Sequence, residues 1–159
     1  MYKRILLAYD GSREGRRALR EGALWAKRSG AEVFVLAITA PMASVDPMGA
    51  PLPPTGEHEE ILREGLAKAA EFGLKAKGEV VTGQPVDIIR RYANGWKADL
   101  VVVGHRKRQL LERWWSGPSH SVLSDHLNCS LLISLNQIDD AAAMRELATM
   151  EGEAARMGG

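Results

Sequence analysis

Residues 98–104 read ADLVVVG, four consecutive apolar positions (Leu100–Val103) stopped by a glycine. A run with no polar face suits a strand covered on both sides, as in a parallel sheet between helical layers. Val33–Ile38 and Leu131–Leu135 have the same character, and Ile5–Tyr9, flanked by Arg4 and Asp10, adds another. Lys75–Val81 differs: Lys75, Lys77 and Glu79 alternate with Ala76, Gly78 and Val80, as an edge strand should.

Helical patterns fill the intervals. Ser12 is placed to cap a helix over Arg13–Ser29 that Gly30 ends. Its inner stripe would be Gly15, Ala18, Leu19, Gly22, Ala23 and Ala26, small residues that let a helix lie close on a sheet. A second helix, Glu57–Phe72, presents Ile61, Leu62, Leu66, Ala69 and Ala70 before Gly73. A third follows Gly83-Gln84-Pro85, with proline at its first position, buries Ile89, Tyr92 and Ala93, with Trp96 a further candidate, and is closed by Asn94-Gly95. A fourth is expected from Ser119 to Leu127. The alternation implies an α/β fold.

Two segments stand outside it. Residues 40–56 hold five of the seven prolines and read as an extended loop. After Asn136, the pair Asp139-Asp140 opens a helix-forming tail whose apolar residues are mostly Ala and Met, which predicts weak packing. The expected division is a domain over 1–136 and a helical or flexible extension over 137–159.

With 159 residues, 45% of them hydrophobic, the chain can bury a core. Its net charge of +1 sets no global field toward nucleic acid or anionic membrane. Cys129 is the single cysteine, so there is no internal disulfide. The apolar part of MYKRILLAYD is too short for a signal peptide, and no stretch approaches a membrane span; the expected location is cytoplasmic.

In a doubly wound sheet, ligands bind beyond the carboxyl ends of the strands where strand order reverses. Asp10 and Gly104 each end a strand. The acid can accept hydrogen bonds from a ribose, and the glycine can let the backbone approach a phosphate. The competing readings are a turn residue in Asp10-Gly11-Ser12 and a plain strand terminator.

KRILLAYDGS, GQPVDIIRRYA, ADLVVVGHR and NCSLLIS, in this order, resemble the universal stress protein family over roughly residues 2–136. The resemblance implies a doubly wound, Rossmann-like, five-stranded parallel sheet in order 3-2-1-4-5 with helices on both faces. It also implies a homodimer through the fifth strand and, in one subfamily, ATP held by the pattern G-x2-G-x9-G-[ST]. Gly104 matches the first glycine and Gly117 the third, while Lys107 replaces the second and Pro118 the final hydroxyl residue. Asp10 matches the acid near the ribose, and Ile38 a backbone and apolar contact to adenine. Lys107 offers a phosphate a cation. Ser116, Ser119 or Ser121 can restore the hydroxyl, and the backbone of Ser119 the lost N–H.

Arg106, Lys107, Arg108 and Arg113 crowd one loop, followed by Trp114 and Trp115. They fit nucleic acid, a hydrophobic lid with solvated charges, or a polyphosphate-bearing small ligand; the last agrees best with the fold and the near-zero net charge. His58, His105, His120 and His126 show no metal-ligand spacing. No nucleophile–base motif is present. The expected function is that of a stress-responsive, nucleotide-sensing binding protein, not an enzyme. It would take ATP, ADP or AMP, with magnesium as a potential companion, at Asp10, Ile38, Gly104, Arg106, Lys107, Gly117 and Ser119. The alternatives are a protein-interaction module of the same fold that has lost the ligand, answering to a partner the sequence does not identify, and a slow ATPase.

Overall fold

The computed structural model describes residues 1–39, 56–104, 123–135 and 139–158. Five parallel strands, β1 (Arg4–Tyr9), β2 (Glu32–Thr39), β3 (Ala76–Thr82), β4 (Leu100–Gly104) and β5 (Ser130–Ser134), form one sheet in order β3-β2-β1-β4-β5. Strand order reverses between β1 and β4. Four helices accompany them: α1 (Arg13–Ser29), α2 (Gly56–Glu71), α3 (Pro85–Trp96) and α4 (Asp140–Met157).

The two faces of β1 show why its run is continuously apolar. Ile5, Leu7 and Tyr9 pack with Ala18, Leu19 and Ala26 of α1 and with Ile61, Leu62 and Leu66 of α2. Leu6 and Ala8 face the other way, into a core with Val86, Ile88, Ile89 and Ala93 of α3. The small stripe of α1 serves close approach: a Cβ on Gly22 would lie 2.3 Å from a Leu7 methyl carbon. At the ends of α1, Ser12 Oγ accepts from Gly15 N–H at 2.9 Å, and Gly30 takes the left-handed conformation at φ 64°.

Two helix expectations change. α3 does not stop at Asn94-Gly95 but runs to Trp96, and Lys97 adopts the left-handed cap at φ 55°. The reason is tertiary: the Trp96 ring sits 5.6 Å from that of Phe34 on β2, which holds one more helical residue in place. Of the expected helix over 119–127, the described part is a 3-10 turn, Leu123–His126. Leu123 is its one buried residue, so these residues offer no 3.6-period apolar stripe. Residues 40–55 of the proline-rich loop lie outside the described residues.

The tail is a helix, capped by Asp139 Oδ1, which accepts from Ala142 N–H at 2.7 Å. Its Ala143 and Leu147 pack on Ala23 and Leu24 of α1 and on Phe72. Among the described residues, no helix is long and apolar enough to cross a membrane.

Candidate functional site

The ladder registers bring three of the sequence-selected residues to one edge. β1 and β2 pair up to Tyr9 opposite Ala37, so Asp10 leaves β1 beside Ile38, which still pairs with Val81 of β3 next to the end of β2. On the other flank β1 pairs with β4 through Leu7 opposite Val102, and Gly104 ends β4 two residues later. The carboxyl ends of β2, β1 and β4 thus present Ile38, Asp10 and Gly104 where strand order reverses, the place a doubly wound sheet offers a ligand.

Asp10 has a local role as well. Its Oδ1 accepts from Ser12 N–H at 2.9 Å, closing the turn that starts α1. The side chain is half-buried, and space for it comes from Gly15, where a Cβ would lie 2.7 Å from Asp10 Oδ1. Gly11 makes the same turn at φ 75° and passes under Ile61 of α2. Acid, glycine turn and helix start are therefore one unit.

Gly104 is set by packing. A Cβ there would lie 2.7 Å from the Glu14 carbonyl oxygen and 3.0 Å from Gly15 N, both backbone atoms of the first turn of α1. The absent side chain lets β4 end directly against the helix that begins beside Asp10. Ile38 is 7% exposed, and its side chain packs in the α3-side core. Its main chain is what stands beside Asp10 at the strand end.

A cluster that the sequence did not announce lies directly behind this edge. Arg16 of α1 and Glu64 of α2 form a two-pronged ion pair, Nε to Oε1 at 2.5 Å and Nη2 to Oε2 at 3.3 Å. Next to it the buried Tyr9 hydroxyl lies close to Glu64 and Arg16, with no partner in full hydrogen-bond geometry among the described residues. Burial first, and then the neighbouring Glu64 carboxylate, push the Tyr9 phenol far above its ordinary range, so it stays protonated. Arg16 in turn holds Glu64 below the usual carboxylate range. These residues are 48 apart in sequence, with no motif to link them; the only sequence signal is their place on the facing sides of two helices.

Arg106, Lys107, Gly117 and Ser119 lie outside the described residues, as does His105. Among the described residues, no three His, Cys, Asp or Glu side chains gather as a metal site would require. Cys129 is partly buried, and burial, then Asp99, raise its thiol, which disfavours the reactive thiolate.

Known proteins agree with this architecture. A universal stress protein from Methanocaldococcus jannaschii is 28% identical over 144 residues, covering 84% of this chain and 82% of that protein. A universal stress protein solved in complex with cAMP superposes with a TM-score of 0.62 at 22% identity, covering 84% of this chain and 97% of that one. The universal stress protein from Archaeoglobus fulgidus in complex with dAMP gives 0.61 at 19% identity, covering 83% and 97%. At these identities the two structures establish the fold. The family model for universal stress proteins matches residues 1–134, and with the sheet order β3-β2-β1-β4-β5 it makes this chain a member of the universal stress protein family.

Proposed function

We propose that the protein binds an adenine nucleotide at the carboxyl edge between β1 and β4, and acts as a nucleotide-sensing binding protein rather than an enzyme. The observation that carries this reading is the convergence of Asp10, Ile38 and Gly104 at the end of three neighbouring strands. Asp10 is an acceptor for ribose hydroxyls at the strand end. Gly104 leaves no side chain between the end of β4 and α1, and Arg106 and Lys107, two and three positions further on in sequence, are cations for phosphate. Relatives of the same fold are described in complex with cAMP and with dAMP, which supports an adenine ligand here.

Calorimetric titration with ATP, ADP and AMP, with and without magnesium, tests the proposal. Asp10→Asn is the informative variant, because its amide oxygen can still accept from Ser12 N–H while the charge is lost. It should fold normally and bind about tenfold more weakly, the loss expected for one charge-assisted hydrogen bond. Lys107→Ala should weaken ATP more than adenosine. Full affinity in a folded Asp10→Asn protein would remove Asp10 from the site. The second reading, an interaction module without ligand, draws on Lys107 and Pro118 standing where the nucleotide-binding pattern has glycine and a hydroxyl residue. Wild-type protein that binds none of the three nucleotides would overturn the first reading and leave this one standing.

A further inference from the structure

The C-terminal helix lies beyond residue 134, where the family match ends, and its attachment has an unusual composition. Four ion pairs join it to the body. Arg20 meets Asp140 at 2.6 Å, Lys68 meets Asp140 at 3.5 Å, Lys27 meets Glu151 at 3.7 Å, and Arg28 pairs with Glu146. In each the cation belongs to α1 or α2 and the acid to α4. The Arg145 and Arg156 side chains of α4 enter none of the four. Contact positions rise together along both helices, from Arg20 with Asp140 to Lys27 with Glu151, so α1 and α4 run parallel.

Apolar attachment is thin by comparison. Ala143 and Leu147 are the buried residues of α4, with Met144 and Met150 partly buried against the same cluster. Beside them a groove of about 330 Å³ remains between Leu24, Trp25 and Arg28 on one side and Ala142, Glu146 and Met150 on the other. The groove opens to solvent, so the helices are not packed tightly along it. Gly152 weakens the helix itself relative to alanine. Charge pairs at an exposed surface are screened by salt, whereas buried apolar contacts are not.

We propose that α4 is an ionic latch, seated on α1 by a small apolar contact and locked there by ion pairs that salt can screen, and that the basic and apolar face beneath it is a docking face for an acidic amphipathic helix of a partner protein. The face carries Arg20, Lys27, Arg28 and Lys68 around Ala23, Leu24 and Phe72, and its occupant in this structure has the complementary chemistry. A partner helix with acids at the spacing of Asp140, Glu146 and Glu151 would compete for the same cations. This proposal is independent of nucleotide binding.

Hydrogen exchange on the full-length protein reads the latch directly. Amides over 140–157 should exchange about tenfold faster at about 1 M than at about 0.05 M NaCl, while those of β1 and β4 do not change. The Glu146→Lys/Glu151→Lys protein should show the fast exchange already at low salt. It should also bind a labelled peptide of residues 139–158 about tenfold more tightly than wild type does, because its own helix no longer occupies the face. Adding Lys27→Glu and Arg28→Glu to that variant should restore slow exchange and abolish peptide binding, which loss of helicity alone would not predict. Exchange indifferent to salt and to the charge reversals would overturn the latch. An opened helix with no peptide binding would overturn the docking face, and self-association of the opened variant in its place would assign that face to a second copy of the chain.

Discussion

At Gly104, one methyl group decides whether β4 can end against α1. A Cβ 2.7 Å from a backbone carbonyl oxygen cannot be absorbed by a rotamer change, so either the helix start or the strand end must move. Gly104→Ala should therefore lower stability by about 1–3 kcal/mol, as overpacking does. Denaturant unfolding should show a lower midpoint with an unchanged slope; an unshifted midpoint would mean the first turn of α1 yields freely. Lys97 poses the opposite case, a side-chain-bearing residue at φ 55°. Lys97→Gly should raise stability by about 0.5–1 kcal/mol, because the left-handed strain exceeds the added entropy of the unfolded chain. Both residues show where reading the sequence stops. Gly104 was legible as a special position, but the reason for it is a contact with Glu14 ninety residues earlier. Lys97 gave no sign at all, since Asn94-Gly95 is the better local terminator and the tilted packing of Trp96 against Phe34 overrides it. At Asp10 the structure shows the turn reading, since the side chain closes the start of α1, and the residue stands at the strand end as well.

Among elements, α1 was readable to the residue because its limits are local chemistry. Ser12 caps, Gly30 ends, and the stripe between them repeats at helical spacing. Ser12→Ala leaves the Gly15 N–H without its acceptor in a buried setting and should lower stability by about 1 kcal/mol, measured by thermal unfolding. What joins α1 to α2 was not readable, because the pairing of Arg16 with Glu64 depends on how two helices lie across one sheet. Since Arg16 holds Glu64 below its unfolded-chain value, the pair's contribution is fully present above that value, about pH 4.3, and is lost as pH falls through the lower folded value. Both side chains remain about a third exposed or more, so solvent screening limits the contribution to about 1 kcal/mol or less. Unfolding curves of wild type and Glu64→Gln should differ by that amount at neutral pH and converge in acid. A difference that persists well below the carboxylate range would show that the substitution acts through packing instead.

For the whole molecule, hydrophobic periodicity could not order the strands, because Val33–Ile38 and Leu131–Leu135 are equally apolar although one is central and the other lies at the edge. The family resemblance supplied that order, and the sheet bears it out. The two edges then differ in kind. β3 exposes Lys77 and Glu79, charges of the sort that discourage another strand from pairing. β5 carries no charge, leaves Leu131, Leu132 and Ile133 only partly buried, and is followed by Leu135 at 68% exposure. The C-terminal helix does not answer this exposure: its buried Ala143 and Leu147 meet Ala23, Leu24 and Phe72, which places it over α1 rather than along β5. A second copy related by a two-fold axis would satisfy the β5 edge and cover these side chains together, so we predict a homodimer through β5. Sedimentation of wild type should then give a dimer at micromolar concentration, and the melting temperature should rise with protein concentration. Ile133→Lys should shift the protein toward monomer. Because Ile133 also packs into the α3-side core, Leu135→Lys is the companion variant, expected to weaken the dimer while leaving the monomer's fold intact. Removing residues 137–159 should leave the dimer in place, since α4 takes no part in that edge. A wild-type protein that sediments as a monomer, with a melting temperature independent of concentration, would rule the β5 dimer out.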